Sequence, residues 1–179
     1  MMELKGSRTE ANLLAAYAGE SQAAEKYWIF EDRARRDGYE QIADIFCETA
    51  GNERAHAAQW FELLHDGVPK TDCNLDEAAG GEHFEWTEMY KEFADIAEEE
   101  GFSAIAHRFR MTADVERRHE ARYNALRQNI ENGEVFKKPQ EQSWVCSNCG
   151  YVFTGTAAPE ACPLCHHAQA YFEVLAENY

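Results

Sequence analysis

Two short patterns carry the chemistry in this sequence. Glu53-Arg54-Ala55-His56 and Glu116-Arg117-Arg118-His119 each set a carboxylate three residues before an imidazole. On a helix that spacing places both side chains on one face, where they can reach a single metal ion. Cys146-Ser147-Asn148-Cys149 and Cys162-Pro163-Leu164-Cys165 form two Cys-x-x-Cys knuckles, each able to deliver two thiolates to a tetrahedral ion. The first pattern suits hard, oxygen-rich metal chemistry with one imidazole per ion; the second suits zinc or one-electron iron.

A repeat positions the first pattern. A shift of 63 residues superposes Tyr27 on Tyr90, Phe30 on Phe93, Gly38 on Gly101, Ile42 on Ile105, Phe46 on Phe109, Glu53 on Glu116 and His56 on His119. Nearer the start of the repeat the shift is 62, matching Gly19-Glu20 to Gly81-Glu82, so the second copy holds one extra residue between Glu82 and Tyr90. A helix absorbs such an insertion as a π-bulge, and one is predicted there. Glu20 and Glu82 therefore supply a matching acid to each Glu-x-x-His pair. Glu85 breaks the symmetry, because the first copy has Ala23 at that place. Tyr27 and Tyr90, about two turns beyond Glu20 and Glu82, are candidates to hydrogen-bond the ligand carboxylates.

The elements follow from periodicity and breakers. Ser7-Arg8-Thr9-Glu10 has capping-box spacing and opens a helix expected over 9–36. A second helix runs from Tyr39 to the stop at Asp66-Gly67-Val68-Pro69. Residues 69–81 read as a small and polar linker, a third helix as extending to Glu100, and a fourth as ending near Asn132-Gly133. The apolar residues flanking each Glu-x-x-His turn the carboxylates inward, where cations must offset the cost of burying them. After Lys137-Lys138-Pro139 the composition shifts to aromatic residues, cysteine, Gly and Pro, which suggests short strands. The reading is a mainly α protein in two domains, residues 1–137 and 138–179. A module as small as the second needs a metal staple.

Composition narrows the function classes. A formal charge of −16 disfavours nucleic acid and anionic membranes as partners. No run of 18 apolar residues and no signal-like N-terminus occur, so the cytoplasm is the expected location. Six cysteines without an export signal point to metal ligands or buried thiols rather than disulfides. Cys47 is expected to be a small core residue, and Cys73 incidental.

One Glu from each of two helices and Glu-x-x-His from each of the other two is the set found in di-iron and di-manganese ferritin-like bundles. Joined to a Cys-Gly-Tyr and Cys-Pro-x-Cys tail with Trp144, Phe153 and Phe172, it makes the chain resemble the rubrerythrin family along its whole length. Leu4 to Glu10, Ala18 to Ala23, Gly81-Glu82 through Glu85 to Met89-Tyr90, and Glu99 to Phe102 carry the same resemblance. It implies a ferritin-like four-helix bundle followed by a rubredoxin-like β domain. The implied cofactors are two iron ions, replaceable by manganese or zinc, held by Glu20, Glu53, His56, Glu82, Glu85, Glu116 and His119. One further iron, or zinc, is implied at Cys146, Cys149, Cys162 and Cys165.

The resemblance assigns Glu53 and Glu116 to bridge the irons, Glu20 and Glu82 to be terminal ligands, and His119 to bind one iron. His56 and Glu85 are implied to exchange at the other iron as the redox state changes. The implied activity is reduction of hydrogen peroxide to water, NADH-linked through an external donor such as rubredoxin or an NAD(P)H-dependent reductase, in oxidative-stress defence. A homodimer is expected, with exchange of helix pairs between chains left open because the linker between the hairpins is short. Three alternatives stand beside this reading: a ferroxidase or iron-storage protein, a zinc-ribbon module on a structural bundle, and an oxygen-activating monooxygenase.

Overall fold

The structure, a computed structural model, describes residues 4–179. The chain divides into two compact units, one running to Pro69 and the other from Lys70 to Tyr179.

The first unit is a helical hairpin of α1 (Arg8–Arg36) and α2 (Glu40–His65). Ser7 caps α1 by accepting the Glu10 backbone N–H at 3.1 Å, while the Glu10 carboxylate accepts from the Gly6 N–H at 2.6 Å. The expected box thus closes one residue early on its return arm. Gly38, at φ 83°, lets the chain reverse: Tyr39 N–H reaches back to the Ala34 carbonyl and Gly38 N–H to that of Arg35. One guanidinium spans the turn. Arg35 donates to Glu31 at 2.9 Å, Glu40 at 2.5 Å and Asp44 at 3.0 Å, bonds that hold it firmly protonated.

The second unit repeats this plan with α3 (Thr71–Phe84), a π-helical turn at Glu85–Met89, α4 (Tyr90–Glu99) and α5 (Ser103–Glu131). Gly101, at φ 85°, reproduces the turn at Gly38, with Phe102 N–H on the Ala97 carbonyl and Gly101 N–H on that of Glu98. The π-turn stands where the extra residue was inferred, and the Tyr90 N–H bonds five residues back to the Glu85 carbonyl.

Two expectations fail. The segment 69–81 is not a linker, because α3 starts at Thr71 and only Asp66 to Lys70 separate it from α2. Gly80 and Gly81 are helical, since buried Ala79 and an ion pair from Asp76 to Arg127 of α5 offset their poor propensity. Nor is Cys47 a core residue: it is exposed, and the nearby Glu31 carboxylate pushes its thiol up. Periodicity placed it on a helix but could not say which face would be covered.

After α5 the chain forms a sheet in the order β2–β1–β3, from β1 (Lys137–Cys146), β2 (Val152–Ala157) and β3 (Phe172–Val174), all antiparallel. Its core is Trp144, Cys146, Ala158, Cys162 and Phe172. Trp144 is fully buried and donates its indole N–H to the Gly155 carbonyl at 2.9 Å, so its one polar atom is satisfied. Among the described residues no helix is long and apolar enough to cross a membrane.

Candidate metal centres

Each helical hairpin assembles a triad. In the first, Glu20 of α1 meets Glu53 and His56 of α2; in the second, Glu82 of α3 meets Glu116 and His119 of α5. Donor atoms within each triad lie within 4.8 Å of one another. The internal geometry repeats as well. His56 Nδ1 is 2.9 Å from Glu53 and 3.8 Å from Glu20; His119 Nδ1 is 2.7 Å from Glu116 and 3.5 Å from Glu82. Ligand bonds of about 2.1 Å put two donors on one ion no more than about 4.2 Å apart, so each of these pairs fits a shared ion. The carboxylates of both triads are half-buried, as is His119, whereas His56 is exposed.

Electrostatics in the second triad also fits a cation. Glu82 touches the Glu116 carboxylate, and its own carboxyl is pushed above the ordinary range first by burial, then by the Glu116 charge, with Glu85 adding to it. Two acids in contact, one of them held back from ionising, is what a bound cation would relieve.

Glu85 lies outside the triads, at the first position of the π-turn. Its charge is nevertheless felt by Glu82 and by Tyr90, whose phenol is pushed up by burial and then by Glu85, Glu116 and Glu82. Tyr90 thus sits in the field of all three carboxylates. Its ring packs on Phe93 and Phe109, as that of Tyr27 packs on Phe30 and Phe46. Among the described residues, no hydrogen bond joins either phenol to a ligand carboxylate.

Sequence reading missed a cluster beside this triad. Glu120 accepts the Trp86 indole N–H at 2.5 Å and lies 3.1 Å from His83 Nδ1. This ties the π-turn that carries Glu85 to the residue next to His119. The signal was available: the first copy has Ala57, Ala24 and Ser21 where the second has Glu120, Trp86 and His83.

The four cysteines form a separate centre. Cys146 Sγ lies 3.7 Å from Cys165 Sγ, and Cys149 Sγ 3.6 Å from Cys162 Sγ. A tetrahedral ion with bonds of about 2.3 Å sets its sulfurs about 3.8 Å apart, so the cage matches a bound metal. The two knuckles are built alike. Gly150 N–H bonds to the Cys146 carbonyl and Cys146 N–H to that of Tyr151; His166 N–H bonds to the Cys162 carbonyl and Cys162 N–H to that of His167. Gly150 and His166 both adopt positive φ, 76° and 60°.

The thiols are polarised against one another. At Cys149 the Tyr151 backbone N–H favours the thiolate, but burial and the neighbouring thiols outweigh it and push the group up to about 12. At Cys165 the His167 backbone N–H, with help from nearby side chains, lowers the thiol to about 5. A metal ion removes this conflict by taking all four as thiolates. Cys47 and Cys73 take no part in these groups.

These donor sets define a non-haem metalloprotein with carboxylate–imidazole and four-thiolate metal sites. Residues 11–127 match the family model described as rubrerythrin, and residues 144–173 match that of the rubrerythrin rubredoxin-like domain. Rubrerythrin-1 of Clostridium acetobutylicum is 47% identical over 195 aligned positions that cover 100% of both chains. The rubrerythrin of Nitratidesulfovibrio vulgaris is 48% identical and also covers 100% of both; that of Porphyromonas gingivalis is 48% identical over 98% of this chain and 94% of the relative. The chain belongs to the rubrerythrin family, with a ferritin-like domain and a rubredoxin-like domain. Its two carboxylate–histidine triads and its four cysteines correspond to the iron cofactors of that family.

Proposed function

We propose that this oxidoreductase reduces hydrogen peroxide to water, with Glu20, Glu53, His56, Glu82, Glu85, Glu116 and His119 holding a di-iron centre and Cys146, Cys149, Cys162 and Cys165 an electron-relay iron. The observation that carries the reading is the duplicated Glu, Glu, His triad with an unduplicated Glu85 beside it, fused to a four-thiolate cage. Storage of iron needs no electron-return module; peroxide reduction does. When bound, a ferrous pair supplies the two electrons that peroxide takes with two protons to give two waters, and a thiolate-bound iron passes electrons singly.

The protein's own groups do the rest. Glu53 and Glu116, each beside a histidine, would hold the cations and offset their charge. Glu85, on a π-turn whose hydrogen bonding is already irregular, would be the ligand able to move, with His56 as its counterpart. A carboxylate in place of an imidazole would suit a more highly charged, oxidised metal pair. Tyr90, its phenol held protonated by burial and by the surrounding carboxylates, would be a hydrogen-bond donor toward peroxide at the site; Tyr27 occupies the matching place in the first copy.

The reading makes residues 1–137 the peroxide-reducing domain and 138–179 the electron-entry domain. It places the protein in the cytoplasm with an external donor, a rubredoxin or an NAD(P)H-dependent reductase. Metal analysis of anaerobically purified protein and stopped-flow oxidation by peroxide and by oxygen test it. Two helical-site irons per chain, with oxidation by peroxide faster than by oxygen, are expected. Iron accumulating beyond the site stoichiometry, or a tail that peroxide never oxidises through the bundle, overturns it.

A further inference from the structure

We propose that Glu120 is a positioning residue: through Trp86 and His83 it fixes where the extra residue of the second hairpin is accommodated, and so keeps Glu85 on the helix face of Glu82. The role given to Glu85 rests on the di-iron reading; the grip of Glu120 on the π-turn does not.

An extra residue in a helix has no fixed place of its own. Glu82 and Tyr90, each matched in the first copy, set the two ends of this stretch, but between them a wide turn could stand at several positions. Each residue that the wide turn passes is rotated by about 100° around the helix axis, from one face to the next. Its position therefore decides which residue joins the ligand face. The Glu85 N–H still bonds four residues back to the Gly81 carbonyl, whereas the Tyr90 N–H bonds five back to the Glu85 carbonyl. Glu85 thus stands in the frame of α3, one turn from Glu82, and the frame changes after it. A wide turn ending before Glu85 would carry that carboxylate off the face of Glu82.

Glu120 is placed to hold that position. One of its oxygens accepts the Trp86 indole N–H at 2.5 Å and the other lies 3.1 Å from His83 Nδ1, so a single carboxylate grips residues that flank Glu85. The rings of His83 and Trp86 meet edge-on, 5.5 Å apart. Both can reach one carboxylate only while they keep the i, i+3 spacing of an α-helix. A wide turn between them would swing Trp86 away by about 100° and break the indole bond. That bond is half-buried and runs to a carboxylate, which places it among the stronger hydrogen bonds of the hairpin.

The first hairpin shows what the cluster is not for. It builds Glu20, Glu53 and His56 with matching contacts, although Ser21, Ala24 and Ala57 stand in place of His83, Trp86 and Glu120. Assembling a triad therefore does not require the cluster. It accompanies the two features that the second hairpin alone has, the inserted residue and Glu85, and it grips the turn that carries both.

Coupling to Glu85 tests the role. Glu120→Ala and Trp86→Phe remove the grip, whereas Glu120→Gln keeps an acceptor for the indole. Stopped-flow oxidation of the reduced protein by peroxide is measured for each, with Glu85 present and in a Glu85→Ala background. The first two are expected to slow the rate about tenfold when Glu85 is present and less than about twofold when it is absent. Glu120→Gln is expected to stay within about twofold of the wild type, because its carboxamide oxygen still accepts the indole N–H. An equal loss in both backgrounds marks a general structural role and overturns the proposal. So does no loss in either, or a glutamine variant as slow as the alanine one.

Amide hydrogen exchange of the full-length protein as purified reads the turn itself. The backbone amides of residues 85–90 should exchange about tenfold faster in Glu120→Ala than in the wild type, with those of α1 unchanged. Equal exchange at 85–90 overturns the proposal. This arm does not depend on which metal is bound. A wild type with no helical-site iron, or one that peroxide does not oxidise, would sink the di-iron reading and leave the exchange rates to decide the grip of Glu120.

Discussion

The two helical hairpins share their ligands but not their supports. Glu20, Glu53 and His56 recur as Glu82, Glu116 and His119 with matching contacts, yet only the second copy has a π-turn, Glu85, and Glu120 gripping Trp86 beside His83. At the same places the first copy has alanines and a serine. On the proposed reading, the duplicated part supplies the core of metal binding, and control over what the metals do has been added to one side.

The largest effect that probes this contrast comes from the shared part. Glu53→Ala and Glu116→Ala should each lower helical-site iron occupancy and peroxide turnover by about 100-fold or more, since on the proposed reading each removes a ligand from one di-iron centre. Metal titration checks it, and a mild effect of either one alone would mean that the triads do not cooperate. Glu85→Ala should retain both metals while slowing peroxide turnover by about 10- to 100-fold. Stopped-flow oxidation of the reduced protein reads this, and Ala23→Glu in the first copy is not expected to restore it. An unchanged rate removes Glu85 from the reaction. Glu120→Ala, which frees the Trp86 indole and leaves His83 without its partner, should cost about 10-fold in turnover with occupancy nearly intact. The equivalent position, Ala57, predicts no such sensitivity in the first hairpin.

The smallest effect concerns stability without metal. Glu82 is pushed up by burial and by Glu116, so its acid form is favoured in the folded state. Its contribution is complete below the ordinary carboxylate range and is lost as pH rises through its elevated value. The metal-free protein should therefore lose stability across that window, and Glu82→Gln should flatten the trend while abolishing tight metal binding. Denaturant melts at a series of pH values measure both, and a metal-free protein that gains stability there through this group contradicts the sign.

Much of this was readable from residue spacing. The 63-residue shift gave the hairpins and the triads, and its lapse to 62 located the π-turn, because an inserted residue has to go somewhere in a helix whose ends are fixed by matching glycines at 38 and 101. The start of α3 was hidden because Gly80-Gly81 has the local signature of a loop, and the contact that anchors this helix, Asp76 with Arg127, joins residues 51 apart in sequence. Cys47 was misplaced for a related reason: a periodic pattern reports that a face exists, not what lies against it. Glu120 escaped because an acid after a ligand histidine looks like surface charge until Trp86 is seen donating to it.

The turn locks of the hairpins bear on how a duplicated chain finds its proper pairing. Arg35 closes the first turn on Glu40 and Asp44; at the repeat position Glu98 closes the second on Ser103 and Arg110. The sign of the anchoring charge is reversed. Were α1 to fold mistakenly along α5, Arg35 would face Ser103, His107 and Arg110 instead of acids; were α4 to fold along α2, Glu98 would meet Glu40 and Asp44. Exposed ion pairs are each worth only about 0.2–1 kcal/mol, so the inversion biases the choice rather than dictating it. Even so, it gives two nearly interchangeable helix pairs distinct electrostatic addresses, a guard against the misassembly to which repeated sequences are prone.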